Sequence, residues 1–456
     1  MNRLFAASLA LLFAVAIAYL PFQGGAGALL LVLVVSMLAI LIFRQFGSEQ
    51  RFITILFVGG LATRLAFGLF VHALDLRDFF GGDANTYDFF GQQLLLRWTD
   101  SVTVPDPYVE WRLNNLGSGW GMYDIVAAIY YLFGQNILAA QSFCAVVGAC
   151  IAPMVYFCSQ RMFQNNRVAR MSALLAAFFP AFIIWSAQLL KDGLLVFLLV
   201  LAMTMVLELQ RRFSWPAMII LVASVAGVLP LRFYIFYMLA PAIVGSFLIS
   251  SAGSAKSVVR SMVVLIAFGL GLTYVGATRY AGETVEQFGS LATIQNSRQD
   301  LSRSAQSGFG GDVDVSTTGG ALTTIPIGLT YLLLAPFPWQ MGSVRSAITA
   351  PEIFVWWGLL PLMVAGIVWT MKHNLRRALP VLLFSVMLTL AYSITQGNVG
   401  TAYRQRTQIQ VFLFMFIAVG WTVRKEKQEN EKILALARQR QLQARVQATR
   451  AGALHN

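Results

Sequence analysis

Charged residues are scarce in this sequence: only 12% of its 456 residues are Asp, Glu, Lys or Arg. Soluble globular domains carry about 25%. Hydrophobic residues make up 57% of the chain, and they recur in runs that are long enough to cross a bilayer. This composition excludes a soluble globular enzyme and a disordered chain, and it predicts an all-α polytopic membrane protein.

Cysteine and histidine are also rare, with three of each in the chain. Cys144, Cys150 and Cys158 all fall in one apolar segment, and their spacing matches neither a CxxC metal motif nor a disulfide framework. We interpret them as small apolar core residues. A secreted disulfide scaffold is excluded, and a histidine-rich metal or haem site is not expected.

Twelve apolar segments are about long enough to span the roughly 30 Å core of a bilayer. They are residues 4–20, 27–43, 52–73, 136–158, 168–187, 191–209, 215–231, 233–250, 258–277, 352–371, 378–395 and 408–423. A further apolar segment, 322–337, is short and ends in Pro-Phe-Pro. We predict that it is re-entrant or interfacial, because counting it as a span would leave Lys372, Arg376 and Arg377 on the extracytoplasmic side.

The distribution of charge assigns sides to these spans. With both termini in the cytoplasm, 21 of the 33 Lys and Arg residues lie on the cytoplasmic side. Eight of the 20 acidic residues lie instead between residues 72 and 135. The net charge of +13 therefore reflects topology, and no nucleic-acid partner is predicted. The first span lacks a clear small-residue cleavage site before Pro21, so we expect it to be retained.

Two segments outside the predicted spans are long enough to hold a functional site, residues 72–135 and 278–351, and both are predicted to be extracytoplasmic. In the second, residues 296–320 are polar and glycine-rich, and their role stays open. The transmembrane domain is predicted to cover residues 1–423. Residues 424–456 are rich in good helix formers and predict a basic cytoplasmic helix near anionic lipid.

The first long loop contains the strongest candidate for chemistry. Asp83 follows Gly81 and Gly82, which free the backbone to turn close to the membrane surface. From Ala84 onward the apolar spacing fits an amphipathic helix on the membrane, with Asp83 at its start. A carboxylate at this place can take the proton from a hydroxyl group as a general base. The alternative is an N-cap or a solvated loop acid, which is the usual role of such aspartates.

The order of elements around this aspartate extends over about 140 residues. A span ends near an Arg, an outside loop follows with Asp83 and Tyr87, and a helix then ends in Leu-Leu. The pattern continues through residues 119–163 and 169–201, where a proline and a short turn separate two apolar helices. This order resembles the GT-C superfamily of membrane glycosyltransferases, which use polyprenyl-phosphate-linked sugars. The greatest similarity is to the protein O-mannosyltransferase and aminoarabinose-transferase branch, glycosyltransferase family 39.

The resemblance implies a GT-C-like fold with interfacial helices in the first large loop, and it maps the family's catalytic acid onto Asp83. Members of this branch usually have an acidic pair here, whereas this chain has Asp83-Ala84. The next acid, Asp88, is a possible second acid. With one acid rather than a cluster we predict no metal and no cofactor, although dependence on a divalent metal stays open.

A donor of this type requires cationic residues at the outer interface to bind its phosphate. Arginine suits this role because its planar fork binds phosphate oxygens bidentately and stays charged. Arg404 and Arg406 lie at this depth between the last two spans, and the resemblance supports Arg404. Arg232 and Lys191 are further candidates. The alternatives are arginines that extend to lipid headgroups, and a Lys191–Asp192 pair that neutralises itself.

Three other residues are candidates for the sugar or acceptor pocket, or for its support. Arg64 lies near the middle of the third span, where an unpaired charge is costly, so it is a functional candidate or a brace for the catalytic loop. Tyr87 lies on the predicted interfacial helix beside Asp83. Trp339 could line the pocket, although an interfacial aromatic belt is the more common position.

The resemblance implies an inverting enzyme that transfers a sugar from a polyprenyl-phosphate donor to an extracytoplasmic hydroxyl acceptor. The acceptor can be a cell-envelope glycan, a glycolipid or a protein, and neither it nor the sugar is identified by the sequence. We expect a bacterial inner-membrane location with both termini cytoplasmic. The oligomeric state stays open.

Two other functions stay open. An O-antigen-type polysaccharide polymerase or ligase also acts on lipid-linked glycans, but such proteins typically rely on Arg and His in their loops. A lipid-linked glycan flippase or a transporter usually has internal repeats and ionisable residues in the middle of several spans. Here no acid falls in mid-span, since Asp192 and Glu208 lie at span ends.

Overall fold

The computed structural model of the chain describes residues 2–46, 49–101, 106–114, 117–250, 255–303, 308–310, 313–341 and 347–453. Within these ranges every regular element is a helix, and the β pairing is limited to one isolated bridge between Gly308 and Asn398. The predicted all-α polytopic fold is confirmed. The predicted segments 72–135, 278–351 and 424–456 each include some residues outside the described ranges.

The helices of the first half of the chain are α1 (Asn2–Tyr19), α2 (Gly25–Arg44), α3 (Gln50–Ala73), α4 (Arg77–Phe80), α5 (Asp83–Trp98), α6 (Pro107–Asn114), α7 (Gly121–Phe133), α8 (Ile137–Phe163), α9 (Asn166–Phe178) and α10 (Pro180–Ser186). Those of the second half are α11 (Lys191–Arg211), α12 (Trp215–Ser250), α13 (Ala255–Tyr274), α14 (Ala277–Phe288), α15 (Leu291–Arg303), α16 (Thr318–Leu334), α17 (Ala350–His373), α18 (Leu375–Thr395) and α19 (Val399–Ala453).

The helix α8 lies at the centre of the bundle and packs against α2, α3, α9 and α11. Its sequence is rich in Ala, Gly, Ser and Cys, and these small side chains let neighbouring helices approach closely. Cys144, Cys150 and Cys158 are all free and buried in it. The prediction that the cysteines are apolar core residues is confirmed.

Nine helices in the described part of the chain are long and apolar enough to cross a membrane, or ten if the bent pair α9–α10 counts as one span. All twelve predicted segments are helical. The counts differ because α1 is one of the shorter apolar helices, and because the predicted spans 215–231 and 233–250 form the single element α12.

The helix α12 reverses direction at Arg232, the one residue inside it with non-helical backbone angles. Gln210, at the end of α11, donates to the Ser246 hydroxyl at 3.5 Å. A straight helix from Trp215 would carry Ser246 more than about 40 Å from that point, at about 1.5 Å per residue. The two halves of α12 therefore return to the same face of the bundle, as the two predicted spans require.

The pair α9–α10 is bent by 53° before Pro180. A proline cannot donate a backbone hydrogen bond, so the bend leaves carbonyls at the end of α9 without helical partners. Arg64 in α3 is fully buried and donates to the Ala177 carbonyl at 3.0 Å and to the Ala176 carbonyl at 3.4 Å. Its Nε also donates to the Ser186 hydroxyl at 2.8 Å. Arg64 therefore braces this break within the bundle.

We call one end of the bundle the long-loop face: α3 and α18 end there, α11 and α19 begin there, and the helices α4–α7 and α14–α16 connect the spans. The helix α16 stays at this face. Its Gly328 lies against the backbone of Ser393 near the end of α18, and Trp356, in the second turn of α17, donates to its Leu333 carbonyl at 2.7 Å. These contacts pack α16 against α17 and α18, and the re-entrant or interfacial position of 322–337 stays a prediction.

The last span continues without a break into the predicted tail. The helix α19 begins at Val399, at the long-loop face, and runs to Ala453. Its residues are buried from 402 to 420, except for the intermediate Arg404, and exposed through most of the stretch from Lys425 to Gln443. Glu429 pairs with Arg167 at 2.8 Å across the start of α9. The tail is therefore an extension of the helix that also contributes Arg404.

We predict that Arg64→Met destabilises the protein strongly. The change removes the donors from buried carbonyls at the end of α9, and each buried carbonyl left without a partner costs about 1–3 kcal/mol. The midpoint of thermal unfolding in detergent should fall by several degrees. Arg51→Met, at an exposed position in the same helix, is the control, and an equal midpoint for both variants would contradict the bracing role.

Candidate functional site

The Asp83 carboxylate lies at the first position of α5, directly after Gly81 and Gly82. Gly81 has a φ of 137°, which L side chains rarely adopt, so this glycine makes the turn from α4 possible. The Asp83 Oδ2 accepts a hydrogen bond from Arg404 Nη1 at 2.7 Å. The structure therefore joins the predicted base and the predicted phosphate ligand, which are far apart in the sequence.

The guanidinium of Arg404 has a second carboxylate partner. Asp192, in the first turn of α11, receives a hydrogen bond from Arg404 Nε at 2.6 Å and also lies 2.6 Å from Arg404 Nη2. The Asp192 side chain is 1% exposed. Its other oxygen, Oδ1, lies 3.6 Å from Arg232 Nη2. Asp83, Arg404, Asp192 and Arg232 thus form one continuous chain of alternating charges.

Lys191 adds a fifth charge beside this chain. Its ammonium group donates to the Ser118 hydroxyl at 3.4 Å. A Cβ on Gly119 would lie 2.7 Å from that ammonium group and 3.1 Å from the Tyr87 hydroxyl. Gly119 also has a φ of 96°, so both the space and the backbone require glycine there. With Lys191 charged, the five groups have a net charge of +1, which attracts an anion.

Aromatic rings pack against both arginines. Arg404 lies over Trp185 at 5.6 Å from the ring centroid, and Arg232 lies over Tyr234 at 5.8 Å. The Tyr234 hydroxyl also accepts from the Gln405 amide at 3.2 Å. Cation–π contacts of this type stabilise guanidinium groups that are removed from water. They hold the two arginines in defined positions in the cluster.

The titration of the two groups on α5 follows from this environment. Burial raises the pKa of Asp83, but the charge and hydrogen bond of Arg404 outweigh it and hold that pKa below its usual value. Burial raises the pKa of Tyr87, and the neighbouring Asp83 charge raises it further. At neutral pH the site therefore presents a carboxylate and a protonated phenol side by side.

An apolar cavity of about 530 Å³ lies next to the cluster, between α7, α8, α11 and α12. Its lining includes Val147, Leu194, Phe197 and Leu231. Leu194 is one turn beyond Lys191 on α11, and Leu231 directly precedes Arg232, so the cavity lies close to the charged cluster. Asp124 is the one acidic residue in its lining.

Five of the predicted site residues come together: Asp83, Tyr87, Lys191, Arg232 and Arg404. The alternative, in which Lys191 and Asp192 pair only with each other, does not describe these contacts, because Asp192 pairs with the two arginines. Asp192 is the site residue that sequence reasoning missed. The available signal was an acid at the very start of an apolar span, where burial demands a cationic partner.

Arg406 does not join the cluster. Successive residues of a helix are about 100° apart, so Arg404 and Arg406 point to nearly opposite sides of α19. Arg406 is fully buried, and its Nη1 donates to the carbonyls of Leu333 at 3.0 Å and Ala335 at 2.9 Å at the end of α16. Its contacts are those of a residue that anchors α16.

The other predicted site residues also lie elsewhere. Asp88 accepts a hydrogen bond from the Tyr130 hydroxyl at 2.5 Å and so ties α5 to α7. Trp339 is 75% exposed and stacks on Phe337. Arg64 braces the α9–α10 break. Roles for these residues in acid chemistry or sugar binding stay predictions.

The described residues contain no group of three or more His, Cys, Asp or Glu side chains that could hold a metal ion. Asp83 and Asp192, the two carboxylates of the cluster, are each bonded to Arg404. Independence from a metal stays a prediction.

Fold and site together define a class of protein: a polytopic membrane protein with a cationic, carboxylate-bearing site at one face of the helical bundle. The family model described as dolichyl-phosphate-mannose-protein mannosyltransferase matches residues 122–277, about a third of the chain. This is a GT-C family, so the predicted resemblance to GT-C glycosyltransferases is confirmed. The matched segment includes Lys191, Asp192 and Arg232. No curated protein and no solved structure matches the chain.

We predict that Asp192→Asn destabilises the protein by about 3–5 kcal/mol, because it leaves two buried guanidinium groups without their shared carboxylate. Adding Arg232→Met should restore part of the loss. Thermal unfolding in detergent measures both effects. Asp100→Asn is the control, since Asp100 is exposed and its φ of 50° is one that asparagine tolerates. A midpoint for Asp192→Asn equal to the control would disprove the linking role.

Proposed function

We propose that this chain transfers a sugar from a polyprenyl-phosphate-linked donor to a hydroxyl acceptor, with Asp83 as the general base. The family match supports a glycosyltransferase that uses a lipid-linked donor. The observation that carries the finer proposal is the 2.7 Å contact between Asp83 and Arg404. In this contact, a carboxylate that can deprotonate the acceptor lies next to a cation that can bind the leaving phosphate.

The proposed reaction is a single displacement. The Asp83 carboxylate takes the proton of the acceptor hydroxyl while the hydroxyl oxygen attacks the anomeric carbon of the sugar. The bond between that carbon and the phosphate oxygen breaks, the configuration inverts, and the polyprenyl phosphate leaves. Arg404, with Arg232 and Lys191, stabilises the charge on the departing phosphate, and the fixed geometry positions the two reactants. Tyr87, whose hydroxyl lies beside Lys191, is placed to contact the sugar.

The apolar cavity supports a lipid-linked donor. A polyprenyl phosphate needs a charged pocket for its head and an apolar surface for the chain, and here an apolar cavity lies close to the charged cluster. The first isoprene units would occupy the space between α7 and α11, with the remainder in lipid. The hydrocarbon supplies affinity in proportion to its buried area, and the cations fix its orientation.

The sidedness proposed for this reaction follows from charge. Basic residues such as Arg161, Arg167 and Arg211 lie at the face opposite the long-loop face, which the positive-inside bias assigns to the cytoplasm. We therefore propose that the long-loop face is extracytoplasmic, that both termini are cytoplasmic, and that the membrane is a bacterial inner membrane. The acceptor is a cell-envelope glycan, a glycolipid or a protein.

We predict that Asp83→Asn abolishes transfer while leaving the fold intact. Asparagine keeps the size of the side chain and removes the base, so the rate should fall by at least about 100-fold. The measurement is release of label from a panel of polyprenyl-phosphate sugars supplied with cell-envelope acceptors, together with the anomeric configuration of the product. Asp100→Asn is the matched control from the same loop.

Other outcomes of this assay decide between alternatives. Equal donor consumption by wild type and Asp83→Asn would remove Asp83 from the mechanism and make Asp88 the next candidate. Binding of lipid-linked sugar by wild type without consumption, for every acceptor tried, would favour the flippase. A product that retains the configuration of the donor would rule out a single displacement.

We predict that Val147→Trp, which fills the apolar cavity, weakens the use of long-chain donors and spares donors with a very short prenyl chain. Losing the burial of two methylenes corresponds to a change of about tenfold in affinity. The measurement is KM for donors of two chain lengths. Ile266→Trp, at a 62% exposed position of α13, is the control, and an equal effect on both donors would refute this position for the lipid chain.

A further inference from the structure

The two carboxylates on Arg404 differ in how firmly they are held. Asp192 is 1% exposed, accepts from Arg404 Nε, lies 2.6 Å from Nη2, and also faces Arg232. Asp83 is 49% exposed and contacts Nη1. Moving Asp192 away from Arg404 and Arg232 would leave buried charges without a partner, whereas water can hydrate Asp83 in its present position. Asp192 is thus a permanent partner, and Asp83 can be exchanged.

The local backbone of Asp83 permits such an exchange. Asp83 begins α5 directly after Gly81 and Gly82, and Gly81 has the left-handed φ of 137°. Asp192, by contrast, lies in the first turn of α11, a helix packed against α8 and α12. A change of rotamer at Asp83 therefore disturbs little, whereas a movement of Asp192 would disturb the bundle.

The position that Asp83 occupies is also the one an anionic ligand needs. Arg404 has its Nε–Nη2 edge occupied by Asp192, so the Nη1 group is the part of the guanidinium that faces the half-exposed side of the cluster. The positive charge of Lys191 also acts on Asp83 and lowers its pKa, so Lys191 lies close to the same position. A phosphate bound at this Nη1 group would lie beside the Asp83 carboxylate. Because the two anions repel each other, phosphate binding favours release of the hydrogen bond that Asp83 accepts in this structure.

We propose that Asp83 and the phosphate of the lipid donor bind to Arg404 in alternation, with Asp192 as the positioning residue that holds Arg404 in both states. This inference rests on the proposed function. In the empty site Asp83 is paired with Arg404, and donor binding displaces it toward the acceptor side. The freed carboxylate is then available to the acceptor hydroxyl, so the base is released only when a donor is present.

The exchange has a consequence for the chemistry. Arg404 lowers the pKa of Asp83 in the empty site, and a weak base is a poor acceptor of a hydroxyl proton. When the phosphate takes over the Arg404 hydrogen bond, Asp83 loses it and becomes a stronger base. This happens at the moment when the anomeric carbon is in place. Water that enters the empty site meets the paired, weaker carboxylate.

Binding of a long-chain polyprenyl monophosphate to the full-length protein in detergent tests this inference, with the corresponding polyprenyl alcohol as the uncharged reference. Asp83→Asn removes the competing anion, so it should bind the phosphate about three- to fivefold more tightly than wild type, the range expected for loss of a partly exposed ion pair. Its affinity for the alcohol should not change. Asp100→Asn should match wild type for both lipids.

Asp192 is tested by the preference for phosphate over alcohol, which general damage to the fold would not change. Asp192→Asn should reduce this preference at least about tenfold, because Arg404 loses its permanent partner. Asp192→Glu keeps the charge and should restore part of the preference for the phosphate. It is also the variant to use if Asp192→Asn does not fold. Equal preference in wild type, Asp192→Asn and Asp192→Glu would overturn the positioning role.

The outcomes separate this inference from the proposed function. If wild type binds the phosphate more tightly than the alcohol, but Asp83→Asn binds it no more tightly than wild type, the exchange is wrong and the proposed function stands. If wild type shows no preference for the phosphate, the proposed lipid-phosphate donor is wrong, and the exchange fails with it.

Discussion

The site depends on the buried carboxylate of Asp192, which lies between two guanidinium groups in the interior of a membrane bundle. A charge in such a medium is tolerated only with a partner. Asp192, whose side chain is 1% exposed to solvent, is the common partner of Arg404 and Arg232. Through it, α11, α12 and α19 are held at one point, and α5 joins them through Asp83. The geometry of the proposed site and the packing of helices at the long-loop face therefore depend on the same contacts.

The same demand for partners explains three arginines outside the site. Arg64 donates to carbonyls at the end of α9, Arg406 to carbonyls at the end of α16, and Arg298 to the Ile394 carbonyl at the end of α18. Each helix end carries a partial negative charge and unpaired carbonyls. In each case a buried guanidinium, rather than water, donates to carbonyls at the end of a helix. These arginines are structural counterparts of Arg404, with carbonyls in place of carboxylates.

The sequence predicted the parts of this molecule that depend on hydrophobic length and on local pattern. All twelve apolar segments are helical, and a helix does begin at Asp83, directly after the Gly-Gly pair. Pairing between distant residues was harder to predict. Lys191 and Asp192 are adjacent in the chain but project in different directions, so adjacency suggested a pair that does not form. Arg404 and Arg406 share a motif, yet helical geometry separates their side chains. Asp192 was missed because its partners are brought to it only by tertiary packing.

The continuity of α19 has a mechanical consequence. Arg404 is near the start of this helix, and Glu429, which contacts Arg167 at the opposite face, is on the same rod. The guanidinium reaches roughly 7 Å from the helix axis, so a rotation of about 20° would move it by about 2 Å, enough to break a hydrogen bond. Because α19 has no hinge between the tail and Arg404, a rotation of the tail about the helix axis also rotates Arg404 unless the packing of the bundle prevents it. The Arg167–Glu429 ion pair joins this helix to the start of α9 at the opposite face.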